Sequence, residues 1–84
     1  MSRTQTTIDK MTTTQKGFLR RLASDIGKAK QDNRIDLVTL HSFTKERKDM
    51  GRGYIRGIID SDPKFGQNDF KVLWAWFTTI CDVF

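Results

Sequence analysis

The sequence predicts an all-α fold, a compact single-domain bundle of four short helices, or five if the third helix breaks. Three observations predict it. Apolar residues recur at helical spacing in several segments. No segment shows the alternation of apolar and polar residues between hairpin turns that is typical of strands. The chain has 84 residues, 37% hydrophobic and 30% charged, which is a typical composition for one small globular domain.

The first helix is expected to begin the helical domain, which we place at residues 12–84. Thr12 and Gln15 match a capping box, in which a hydroxyl accepts from a backbone N–H and the glutamine reaches back to the cap. The apolar residues that follow share one helical face: Phe18, Leu19, Leu22, Ala23, Ile26 and Ala29. Residues 1–11 are rich in threonine and aperiodic, so we expect a flexible N-terminal arm there.

A second helix is expected after a turn at residues 31–33, with Asn33 or Asp36 as its cap. Residues 44–60 can form a third, continuous helix. A break near residues 50–53 is the alternative, because the three glycines of this segment cost about 3 kcal/mol relative to alanine. If residues 35–43 and 44–60 form separate helices, they could build a helix-turn-helix.

The last helix follows a loop at residues 61–68 and is the most apolar segment of the chain. Seven of its residues fill an arc of roughly 120° and are expected in the core. They are Phe70, Leu73, Trp74, Phe77, Ile80, Cys81 and Phe84. Val72, Trp76 and Val83 extend the arc to about 200°. Two interpretations stay open for these three: they lie inside the domain, or they bind a partner protein or a second copy.

Charge is unevenly distributed. Residues 1–56 carry thirteen Lys and Arg against six Asp and Glu, whereas residues 57–84 carry two against four. A continuous third helix would align four cations that could follow a phosphate backbone, and cations of the first helix could enlarge the patch. The candidate nucleic-acid-binding residues are Lys45, Lys48, Arg52, Arg56, Arg20, Arg21 and Lys28. The alternative is a solvated helix face, which the intervening Glu46 and Asp49 favour.

Catalytic and metal-binding residues are scarce. The single histidine, His41, and the single cysteine, Cys81, both lie within apolar stretches, and Cys81 is expected in the core. Residues 60–71 begin like a calcium loop but lack the glycine at the sixth position and the glutamate at the twelfth. Residues 51–57 do not match the spacing of a phosphate-binding loop. We therefore expect no enzyme, no metal and no cofactor.

The N-terminus shows no signal-peptide pattern, and no apolar run approaches the roughly 18 residues of a membrane span. The expected location is the cytoplasm. The leading functional hypothesis is a small regulatory or inhibitory protein that binds a partner protein, or itself, through the aromatic C-terminal helix. Such one-domain chains are common among phage accessory proteins. The alternative is a nucleic-acid-binding module; no small-molecule substrate is expected.

Overall fold

The computed structural model describes residues 3–84, with side chains from residue 5 onward, and it confirms the all-α bundle. Its four helices are α1 (Arg3–Asp9), α2 (Thr13–Gln31), α3 (Leu37–Ser61) and α4 (Asp69–Val83). The predicted capping box is present at Thr12, whose hydroxyl accepts from the N–H of Gln15. None of the helices in the described range has the length and hydrophobicity that crossing a membrane requires.

Helices α2, α3 and α4 pack against one another around a single core, and α1 packs on α4. Helix α3 runs antiparallel to both neighbours. Phe18, near the start of α2, stacks on Tyr54, in the second half of α3, with ring centroids 4.2 Å apart. Lys30, near the end of α2, donates a hydrogen bond to the carbonyl of Cys81, near the end of α4. The predicted core residues Leu73, Phe77 and Cys81 are fully buried.

The two long connections of the bundle use the same turn. In the loop after α2, a carboxylate oxygen of Asp32 accepts from the backbone N–H of Arg34 at 3.0 Å. In the loop after α3, Asp62 accepts from the N–H of Lys64 at 3.1 Å. Each aspartate also pairs with the cation two residues later. An aspartate whose carboxylate accepts a hydrogen bond from the backbone N–H two residues later commonly forms a turn in this way.

Helix α3 is one continuous helix of 25 residues, so the break near residues 50–53 and the helix-turn-helix were wrong predictions. The expected second and third helices are its two halves. Its length of about 37 Å explains much of the 43 Å long axis of the molecule. Asp36 caps α3 by accepting from the N–H of Thr39 at 2.7 Å. Tertiary packing on α2 and α4 offsets the cost of its three glycines.

The two halves of α3 differ in burial. Its buried residues are Gly51, Ile55, Ile58 and Ile59, all in the second half. None of residues 37–50 is buried, and Leu37 and Val38 are 83% and 78% exposed. The second half of α3 therefore anchors the helix in the bundle.

Residues 3–11, for which a flexible arm was expected, contain a helix that packs on α4. Residues 3–9 form α1, and Ile8 and Met11 are 6% and 4% exposed, in contact with the core. Met1 and Ser2 lie outside the described residues. A helix of two turns has too few apolar positions for a periodic pattern, and tertiary contacts stabilise it.

Asp69 connects α1 to the start of α4. Its buried carboxylate accepts from the N–H of Gly66 at 2.9 Å and from the hydroxyl of Thr7 and the amine of Lys10, both at 3.4 Å. The hydrogen bond from Gly66, and to a smaller extent Lys10 and Thr7, hold the pKa of Asp69 below its ordinary value against the opposing effect of burial. The carboxylate is thus stabilised as an anion at the junction of α1, the loop and α4.

Candidate functional site

Four cations of α3 lie along one side of the helix, and we call this set the basic face: Lys45, Lys48, Arg52 and Arg56. They occur at helical spacing, and the continuity of α3 is what aligns them. Lys48 is half-buried and the other three are exposed. The basic face borders α4, because Arg52 and Arg56 both contact a ring of that helix.

Aromatic side chains of α4 lie next to the basic face. The guanidinium carbons of Arg56 and Arg52 lie 4.2 and 6.0 Å from the ring centroid of Phe70. Such cation–π contacts contribute about 0.5–2 kcal/mol each. The rings of Phe70 and Trp74 are nearly parallel, at an interplanar angle of 9° and a centroid distance of 6.5 Å. One side of α4 thus presents two half-buried rings to the cations of α3.

An open groove of about 350 Å³ runs between α3 and α4 at this position, and we call it the α3–α4 groove. Its lining residues are His41, Thr44, Lys45, Lys48, Asp49, Arg52 and Trp74. Of these described residues, three are cations and one is a carboxylate. An anionic ligand would therefore meet positive charge on the α3 wall and an aromatic ring on the α4 wall.

The other three cations of the predicted patch lie elsewhere. Arg20 lies over the ring of Trp76, 5.8 Å from its centroid. Trp76 and Trp74 are two residues apart and so point to roughly opposite sides of α4. Arg21 lies beside Phe18, and Lys28 lies in a depression shared with residues of the first half of α3. The structure therefore does not bring the seven predicted cations into one patch.

The three predicted protein-binding residues have different environments. Val83 is 80% exposed. Val72 and Trp76 are half-buried, and Trp76 packs against the core while Arg20 covers part of its ring. Trp76 is thus neither fully buried nor fully exposed to solvent. Phe84, expected in the core, is 48% exposed at the end of α4.

The two residues with the greatest chemical reactivity occupy different environments. His41 is exposed in the α3–α4 groove, whereas Cys81 is fully buried. Burial raises the pKa of the Cys81 thiol, which keeps it in the neutral, unreactive form. In the part of the chain that the structure describes, no three His, Cys, Asp or Glu side chains are grouped so that they could hold a metal ion.

The sequence did not predict the pairing of Phe70 and Trp74 with the basic face. Both rings were expected in the core, because the helical arc of α4 contains them. Their spacing of four residues was the available signal, since it places two rings on the same edge of the helix.

Comparison of the chain with protein-family models, curated proteins and solved structures found no match.

Proposed function

We propose that this protein is a non-enzymatic, cytoplasmic binding module whose α3–α4 groove binds nucleic acid. The supporting observation is that Lys45, Lys48 and Arg52 share one groove with the ring of Trp74. Cations that follow a phosphate backbone, next to an aromatic ring that can contact a base, are the usual elements of such sites. The proposal involves no catalytic step and no cofactor.

The dimensions and charge of the basic face support this proposal. Lys45 and Arg56 are eleven residues apart, or about 16 Å along α3. That distance corresponds to about five nucleotides of a stacked strand at 3.4 Å each. The chain carries a formal net charge of +5, which favours association with a polyanion over long range.

The double variant Lys45→Glu/Arg52→Glu is expected to weaken binding of oligonucleotides by about 10- to 100-fold at low salt, since it replaces two phosphate contacts by repulsion. The dependence of log K on log salt should become less steep by about 1.4 for a single strand. Gel retardation and fluorescence anisotropy at about 50 mM and 200 mM salt measure both effects.

Arg21→Glu/Lys28→Glu is the matched control, because it changes the net charge equally at two exposed cations of α2 that do not line the groove. We expect it to weaken binding several-fold less. Equal losses in the two double variants would mean that net charge, and not the groove, determines affinity. If the wild-type protein retards no DNA or RNA at low salt, nucleic-acid binding is excluded.

We propose as a second function the regulatory or inhibitory binding of a partner protein, or of a second copy, through Val72, Trp76 and Val83. The exposure of Val83, 80%, on the same side of α4 as the half-buried Trp76 supports it. Tryptophan is a frequent energetic anchor of protein interfaces.

Val83→Asp tests this second function without disturbing the core, since Val83 is solvent-exposed. It should abolish self-association in sedimentation velocity, or capture of a purified partner, while the circular-dichroism spectrum stays unchanged. Ala75→Asp, at another exposed position of α4, is the matched control and should have no effect. This function would be contradicted by two results together: the wild-type chain is monomeric at high concentration, and Val83→Asp captures a partner protein as well as the wild type does.

A further inference from the structure

We infer that the nucleic acid of the α3–α4 groove is single-stranded, and that one of its bases stacks on the ring of Trp74. This inference rests on the proposed function, and it specifies the ligand of the same groove. The geometry that carries it is the position of a half-buried indole that lines the same groove as three cations.

Trp74 is held in place from two sides. Its ring lies 5.9 Å from that of the fully buried Phe77, at an angle of 46°, and 6.5 Å from that of Phe70. Trp74 also packs against the core and lines the groove. A ring that neighbours already fix loses little conformational freedom when a planar ligand stacks on it, which favours binding.

Phe70 is the less suitable of the two rings for stacking. The guanidinium of Arg56 lies 4.2 Å from its centroid, and that of Arg52 lies 6.0 Å away. Arg56 also donates a hydrogen bond to the side-chain oxygen of Gln67 at 3.3 Å, which positions it there. Phe70 therefore supports the two arginines and Trp74, while Trp74 contacts the ligand.

A duplex fits this groove poorly. Its base faces are stacked inside the helix, so it presents only phosphates and base edges, and the ring of Trp74 would have no base face to contact. The major groove, about 12 Å wide, admits a single α-helix. The basic face borders α4, and two helices side by side are about 20 Å wide. A single strand exposes phosphates and base faces together, which matches the two walls of the groove.

Tryptophan fluorescence in the Trp76→Phe protein tests the stack, since Trp74 is then the only indole emitter of the chain. We expect oligo(dT) to quench the emission, because a base covers the ring. Inorganic polyphosphate, which has the charge but no bases, should bind without quenching. A duplex of equal length should bind more weakly than the single strand.

Trp74→Leu and Trp74→Phe separate stacking from packing. Both keep an apolar side chain at the site, but only phenylalanine keeps an aromatic face. Trp74→Leu should weaken binding of oligo(dT) about 5- to 150-fold, the usual effect of losing one stacked base. The affinity of this variant for polyphosphate should change less than about 2-fold, because polyphosphate has no base that could stack on the ring. Trp74→Phe should recover most of the lost affinity. A cooperative thermal unfolding transition is the check that both variants are folded.

The outcomes distinguish this inference from the proposed function. Equal affinity for single strand and duplex, or equal effects of Trp74→Leu on oligo(dT) and polyphosphate, would overturn stacking on Trp74 and leave nucleic-acid binding intact. If neither the wild type nor the Trp76→Phe protein binds oligo(dT), the duplex or polyphosphate, both this inference and the proposed function are overturned.

Discussion

Replacing Phe77 by alanine is expected to lower the free energy of unfolding by about 3–5 kcal/mol, because the change leaves a cavity in the core. Phe77 is 0% exposed and is among the largest fully buried side chains of the described residues. It meets α3 at Gly51 and contacts Trp74 within α4. Its removal would leave a cavity at the centre of a domain whose total stability is expected to be about 5–15 kcal/mol.

Urea unfolding followed by circular dichroism measures this effect. Phe84→Ala is the matched control, since it removes the same atoms from a residue that is 48% exposed. We expect that control to cost about 1 kcal/mol or less, because little buried area is lost. Similar losses in the two variants would contradict the central position of Phe77.

Gly51→Ala is expected to destabilise the protein by about 1–3 kcal/mol, whereas Gly53→Ala, two residues later in the same helix, should stabilise it by about 0.5–1 kcal/mol. A Cβ atom at Gly51 would overlap the ring of Phe77, while one at Gly53 would have no atom within 4 Å beyond its own chain neighbours and the nearby backbone of α3. Intrinsic helix propensity favours alanine equally at both positions, so the contact with Phe77 decides the sign.

A double-mutant cycle identifies the cause of the Gly51 effect. In the Phe77→Ala background the overlapping ring is absent, so Gly51→Ala should become neutral or stabilising. Thermal or urea unfolding of the four proteins gives the coupling energy between residues 51 and 77. If Gly51→Ala stabilises the wild-type background as Gly53→Ala does, the close approach of α3 to α4 is contradicted.

Local sequence signals predicted the helices that carry their own start signals or a strong periodic face. The capping box at Thr12 and the apolar face of α2 are of this kind, as is the core edge of α4 at Leu73, Phe77 and Cys81. The continuity of α3 was not predictable in this way. Three glycines appear equally unfavourable in the sequence, yet one of them allows close contact between helices, and tertiary packing offsets the cost of the other two.

Periodicity also could not distinguish an enclosed residue from one at the end of an element. Phe84 has an angular position close to that of Phe77, but it follows the last residue of α4 and lies beside Gly27 at the end of the bundle. The basic face was predictable from helical spacing on the condition that residues 44–60 form one continuous helix. The aromatic wall opposite it was not, because the contact between α3 and α4 depends on how the two helices pack.

The uneven burial of α3 means that the proposed binding wall lies on the less stable part of the helix. Local opening of a helix requires little free energy where few residues are buried, and Lys45 and Lys48 belong to the half in which none is. Ligand binding would then be coupled to the helix–coil equilibrium of residues 37–50, and part of the binding free energy would go into suppressing fraying. The cap at Asp36, nine residues before Lys45, would thereby influence affinity without contacting the ligand.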